Sequence, residues 1–168
     1  MTVSQSASLQ VLTRALCLEI DGQAFYREAA ARTADAKGRQ MFLDLADAEA
    51  LHQRLIQRQI DSLQASGQWA VDARITAVSC DPSQSLFPQG QARAQATGPR
   101  ADELEALLFA IDKENESYEL YRQGALAAAG DPMAEALYRF LMAAERDHFN
   151  ILMANYEAII NAQHYAGS

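Results

Sequence analysis

Glu145-Arg146-Asp147-His148 repeats the spacing of Glu49-Ala50-Leu51-His52, 96 residues earlier, and these two stretches decide how the chain folds. A lone glutamate precedes each pair at nearly the same distance: Glu19 lies 30 residues before Glu49, and Glu114 lies 31 before Glu145. With 11 Glu and 3 His in 168 residues, roughly 0.2 Glu-x-x-His coincidences are expected by chance. Two occurrences, in register with two further glutamates, exceed that. On a helix, residues i and i+3 lie on one face about a turn apart. Four helices offering one Glu, one Glu-x-x-His, one Glu and one Glu-x-x-His are what a four-helix bundle uses to hold two metal ions in its core.

The periodicity around these residues predicts the helices. Apolar residues recur at i, i+3, i+4 and i+7 in four long segments. The first runs from about Ser8 to Thr33, with Leu12, Leu16, Ile20, Phe25 and Ala29 on the expected inner face. The second starts after Asp35 and continues to about Ser66, led by Phe42, Leu45, Leu55 and Ile56. The third covers about Asp102 to Ala129. Gly130 then closes it, Asp131 caps the fourth helix, and Pro132 suits a first helical position. Helices one and two, and three and four, are joined by few residues, so each pair forms an antiparallel hairpin, about 8–66 and 102–160.

Between residues 67 and 100 the pattern fails, and Pro, Gly, Gln and Ser dominate. A structureless stretch of that length disfavours a compact fold unless it is a long crossover, and a bundle with one long crossover is the ferritin-like connection. Trp69, Ile75, Val78, Leu86 and Phe87 are expected to pin it to the bundle. The fold predicted is therefore all-α: a single domain over 1–168, a ferritin-like antiparallel four-helix bundle with a long crossover between helices 2 and 3.

The halves also repeat. Glu19 to Tyr26 shifts by 95 onto Glu114 to Tyr121, and Asp35 shifts by 96 onto Asp131. The hairpins should pack about a pseudo-twofold axis, bringing Glu19, Glu49, His52, Glu114, Glu145 and His148 together as metal ligands. Four carboxylates carry four negative charges, which two divalent cations cancel. Two trivalent ions leave two positive charges, which one oxide balances, so the set suits ferrous–ferric cycling. One imidazole per metal in an oxygen-rich set fits iron or manganese better than structural zinc, with manganese or zinc as substitutes for iron. Without metal, four clustered buried carboxylates should all have raised pKa values. Tyr26 and Tyr121, each seven residues after a lone glutamate, are candidates to hydrogen-bond the ligand carboxylates.

Composition excludes other classes. A net charge of −8 argues against a nucleic-acid surface. No stretch approaches the ~18–20 apolar residues of a membrane span. The opening MTVSQSASLQ has no basic region leading into an apolar run, so a cytoplasmic location is expected. The two cysteines, Cys17 and Cys80, make neither a disulfide framework nor a four-cysteine metal domain. Cys17 is expected in the core and Cys80 in a loop.

The segments Glu19–Tyr26 and Glu114–Tyr121, with the two Glu-x-x-His pairs, resemble the rubrerythrin branch of the ferritin-like di-iron superfamily over about residues 8–160. That resemblance implies a non-haem di-iron centre, peroxide reduction against oxidative stress and electrons from an external donor such as a rubredoxin. It also implies a homodimer. Two departures stand out. Typical members carry a rubredoxin-like domain with four cysteines, which this sequence lacks. They also place an extra Glu ligand on the third helix where this chain has Ser117, and Glu116, about 100° round the helix, does not replace it. The expected function is oxidation of Fe(II) by peroxide or O2. Alternatives are a ferroxidase or iron-handling protein, a di-iron oxygenase, or a non-catalytic helical interaction module.

Overall fold

The computed structural model describes residues 3–75, 82–83, 101–128 and 130–166. Four helices form in order: α1 (Val3–Arg32), α2 (Ala36–Ser66), α3 (Ala101–Ala127) and α4 (Pro132–Ala166). Their ends follow from local chemistry. Asp35 caps α2, its carboxylate accepting the Gly38 N–H at 2.7 Å. Gly67 ends α2 at φ 70°, where its own N–H bonds the Leu63 carbonyl. Gly130, at φ 105°, makes the second tight turn, and Asp131 accepts from the Met133 and Ala134 N–H groups, each at 3.2 Å.

The core divides into two apolar clusters. One gathers Leu12 and Ala15 of α1, Ile56 and Leu63 of α2, Tyr118 and Tyr121 of α3, and Leu137 and Leu141 of α4. The other gathers Tyr26 and Ala30, Phe42 and Leu45, Leu104 and Ile111, and Phe149 and Leu152. The start of α1 thus meets the start of α4, and the end of α2 meets the end of α3. α1 and α2 are antiparallel, as are α3 and α4, while α2 runs parallel to α3. The end of α2 and the start of α3 therefore lie at opposite ends of the bundle, which is the ferritin-like arrangement.

The crossover is fastened where it leaves α2. Trp69 and Ile75 pack on the first cluster, as expected. Gln59, buried in α2, clasps Ala70 twice: its amide donates to the Ala70 carbonyl at 3.1 Å, and its oxygen accepts the Ala70 N–H at 2.8 Å. Arg122 on α3 donates to the Pro82 carbonyl at 3.3 Å. Val78, Cys80, Leu86 and Phe87 lie outside the described residues.

Two sequence expectations fail on α1. Ile20 is 48% exposed and Cys17 is exposed, whereas the apolar pattern of the sequence points both inward. The buried stripe of α1 is Leu12, Ala15, Glu19, Tyr26, Ala29 and Ala30. A glutamate sits at its centre, so tracing apolar residues alone rotated the helix. Cys17, two residues from Ala15, lies about 200° round from that face.

Gly124 of α3 packs closely against Tyr138 of α4. A Cβ there would lie 2.9 Å from two ring atoms of Tyr138. Alanine normally gains about 1 kcal/mol over glycine in a helix, but overpacking a buried ring costs about 1–3 kcal/mol. Gly124→Ala should therefore lower the melting temperature. A melting temperature equal to or above wild type would show that the Tyr138 ring has room to move.

Candidate metal centre

The layer between the two apolar clusters is polar, and all six predicted ligands are in it. Glu19, Glu49, His52, Glu114, Glu145 and His148 are each buried. They fall into two groups that share two members: Glu19, Glu49, His52 and Glu145, then Glu49, Glu114, Glu145 and His148. Within each group the ligand atoms lie within 4.8 Å of one another. The two imidazoles face each other across the layer, with ring centroids 5.5 Å apart.

Glu49 and Glu145 stand between the groups. Glu49 turns Oε2 to His52 Nδ1 at 3.6 Å and Oε1 to His148 Nδ1 at 3.4 Å. Glu145 does the same, with Oε1 3.4 Å from His52 and Oε2 3.4 Å from His148. Glu19 approaches only His52, at 3.1 Å, and Glu114 only His148, at 3.4 Å. Glu49 and Glu145 belong to both groups and would serve either of two ions, while Glu19 and Glu114 would each serve one. Glu114 Oε2, Glu145 Oε1 and His148 Nδ1 are buried with no hydrogen-bond partner. Buried polar atoms are seldom left so. Converging orphans on carboxylate and imidazole donors fit a cation.

Protons divide the charge unevenly. Burial first, then the charge on Glu145, pushes both Glu19 and Glu114 well above the usual carboxylate range. Burial and Glu145 also press Glu49 upward, but the close approach of Glu19, His148 and His52 outweighs them and leaves it lowered. Burial opposes the charge on Glu145 too, yet the close approach of Glu114, His148 and His52 holds it well below its ordinary value. Both histidines are driven well upward against burial, by the Glu19 charge for His52 and by the close approach of Glu114 for His148. The expectation that all four carboxylates are raised is thus corrected: two are raised and two lowered. The reason is that the histidines stabilise the carboxylates they share.

Tyr26 and Tyr121 do hydrogen-bond the ligand carboxylates, but across the bundle. The Tyr26 hydroxyl donates to Glu114, and the Tyr121 hydroxyl donates to Glu19. Each phenol therefore serves the glutamate of the opposite hairpin rather than the one on its own helix. Burial, then the partner carboxylate's charge, keeps both phenols protonated as donors. Sequence reading missed the amide brace below Glu19. Gln53 donates to the Glu19 backbone carbonyl at 3.0 Å and to Gln23 at 3.2 Å. Nothing in the spacing of two glutamines marks such a brace. Glu116 is not in the site; it pairs with Lys113 at 2.9 Å and Arg14 at 3.7 Å near the surface.

A family model described as Rubrerythrin matches residues 10–156. The chain belongs to the rubrerythrin family. The match spans all four helices and all six buried ligand candidates, and it agrees with the four-helix ferritin-like fold. Neither the curated proteins nor the solved structures gave a significant match. Among the described residues, no helix is long and apolar enough to cross a membrane.

Proposed function

We propose that this rubrerythrin-family protein binds two iron ions and reduces peroxide in the cytoplasm with electrons from an external donor. The observation that carries this reading is the sharing of Glu49 and Glu145 between two buried ligand groups. Bound iron would supply one electron per ion and Lewis acidity toward a peroxide oxygen. The chain supplies the rest. Glu19, Glu49 and His52 hold one position with Glu145; Glu114, Glu145 and His148 hold the other with Glu49. The Tyr26 and Tyr121 hydroxyls fix the terminal carboxylates and keep a proton beside each. The apolar clusters on either side exclude water, so each charge interaction is stronger than it would be in solvent.

Cys17 and Cys80 do not by themselves make a four-cysteine iron site, and in this reading an external donor supplies the electrons. With Fe(II) loaded, peroxide should oxidise both ions in one fast phase and the reaction should then stop. A rubredoxin-type reductant should restart it. Stopped-flow absorbance with metal analysis tests this, and sustained peroxide consumption without any reductant would refute it. One observation favours a ferroxidase reading as the alternative. Ser117 occupies the place of the family's extra glutamate, and Glu116 is engaged with Lys113 and Arg14. Accumulation of oxidised iron well beyond two ions per chain, with no donor-dependent turnover, would decide for it.

A further inference from the structure

The two halves of the bundle differ beside their tyrosines. Tyr26 has phenylalanines around it: Phe25 edge-on with centroids 5.5 Å apart, and Phe42 stacked at 6.1 Å. Shifting Phe42 by 96 gives Tyr138, and there the chemistry changes. Tyr138 is buried in the same cluster as Tyr121. Its ring lies against Gly124, one helical turn from Tyr121, where no side chain intervenes. Trp69 comes in from the crossover and meets the Tyr138 ring edge-on at 6.3 Å. This is the only tryptophan of the chain, and it is half-buried, touching the core while reaching the surface.

The depth is suitable for electron transfer. Gln59, which clasps Ala70 beside Trp69, lies seven residues beyond His52 in the same helix. That is about 10 Å along the axis. Tyr138 likewise lies seven residues before Glu145. An indole gives up an electron far more readily than the phenyl rings that occupy the other half.

We propose that Trp69, with the Tyr138 ring as bridge, is the surface terminal of an electron path to the metal-binding layer. The inference rests on the reading that iron in this layer reacts with peroxide. Tyr138 bridges rather than stores charge, because burial pushes its phenol up to about 12 and it keeps its proton. Trp69 can lose an electron without first losing a proton. Breaking the O–O bond of hydrogen peroxide takes two electrons. When one ferrous ion is present, that ion gives one and the Trp69 indole gives the other. Two protons from solvent complete two waters, and the indole is left as a radical cation. When two ferrous ions are present, both electrons come from iron and the indole is spared. A one-electron reductant at the surface refills the indole, so the same path carries electrons inward.

The test loads the full chain with one ferrous ion, adds hydrogen peroxide without reductant, and freeze-quenches it for electron paramagnetic resonance. A tryptophan radical is expected, several-fold stronger than in protein loaded with two ferrous ions and absent from zinc-loaded protein. Trp69→Phe should remove it. Tyr138→Phe should keep it, and Tyr138→Leu should weaken it several-fold, with circular dichroism verifying that each variant is folded. Ferrous iron oxidised with no tryptophan radical, or an undiminished protein radical in Trp69→Phe, overturns the path while leaving the iron–peroxide reading intact. Ferrous iron left unoxidised by peroxide instead refutes that reading, and the path with it.

Discussion

Glu145→Ala is expected to lose both metal positions at once, and Glu49→Ala the same, whereas Glu19→Ala should keep one. The asymmetry follows from which oxygen faces which histidine. Glu145 presents Oε1 to His52 and Oε2 to His148, and Glu49 is divided in the same way, while Glu19 reaches only the His52 side. Outer partners of metal ligands alone are worth about 10–100-fold in affinity, so deleting a carboxylate shared by two ions should exceed that range. Metal analysis after equilibration with limiting Fe(II) should give close to two ions for wild type, fewer than one for Glu145→Ala, and about one for Glu19→Ala. Glu145→Gln keeps the shape and removes the charge, and should behave like the alanine variant. Two ions retained in Glu145→Ala would refute the sharing of this carboxylate.

Chelated protein should lose stability as pH rises from about 5.5 to 7.5, and bound divalent metal should reverse that slope. Glu19 and Glu114 are raised in the folded state, so the native protein holds protons that the unfolded chain releases near 4.5. Their contribution is full below that value and declines as pH climbs through the folded pKa. His52 and His148 are raised as well, so their contribution is full below 6.5 and is also lost on the alkaline side. Glu49 and Glu145 are lowered and act only on the acid limb, below about 4.5. Each proton held only by the native state is worth about 1.4 kcal/mol per pH unit. Urea midpoints in chelator at the two pH values should fall for wild type. They should fall less for a Glu19→Gln, Glu114→Gln double variant, whose neutral amides have no proton to lose. Equal losses in the two proteins would mean that these carboxylates are not held protonated in the core.

The six buried ligand candidates were legible in the sequence because the chemistry demands particular residue types at helical spacing. The hairpins and the crossover followed from the repeat and from the failed periodicity between them. What was not legible depends on rotation about the helix axes and on which groups meet across the bundle. An apolar count points Ile20 and Cys17 inward because it cannot see that Glu19 holds the centre of the buried α1 stripe. The crossed bonds from Tyr26 to Glu114 and from Tyr121 to Glu19 are invisible to spacing, which points each tyrosine to its own helix. The split between raised and lowered carboxylates needed the distances to the two imidazoles. The brace of Gln53 on Glu19, and the clasp of Gln59 on Ala70, carry no motif at all.

The crossed tyrosines have a bearing on ancestry. Each hairpin supplies one tyrosine to the polar layer, with one lone glutamate and one Glu-x-x-His, and each of those tyrosines finds its carboxylate on the other hairpin. Two identical hairpins related by a twofold axis would generate the same polar layer, as an isologous pair does. Such a pair would hold together only at sufficient concentration. Joining the copies through the crossover makes the encounter intramolecular, with the effective concentration set by the linker. It also frees the copies to diverge, which is how one half can keep Phe42 where the other has Tyr138. In that light the interior of this bundle is built as a boundary between two like subunits would be, with its polar layer shared by both hairpins.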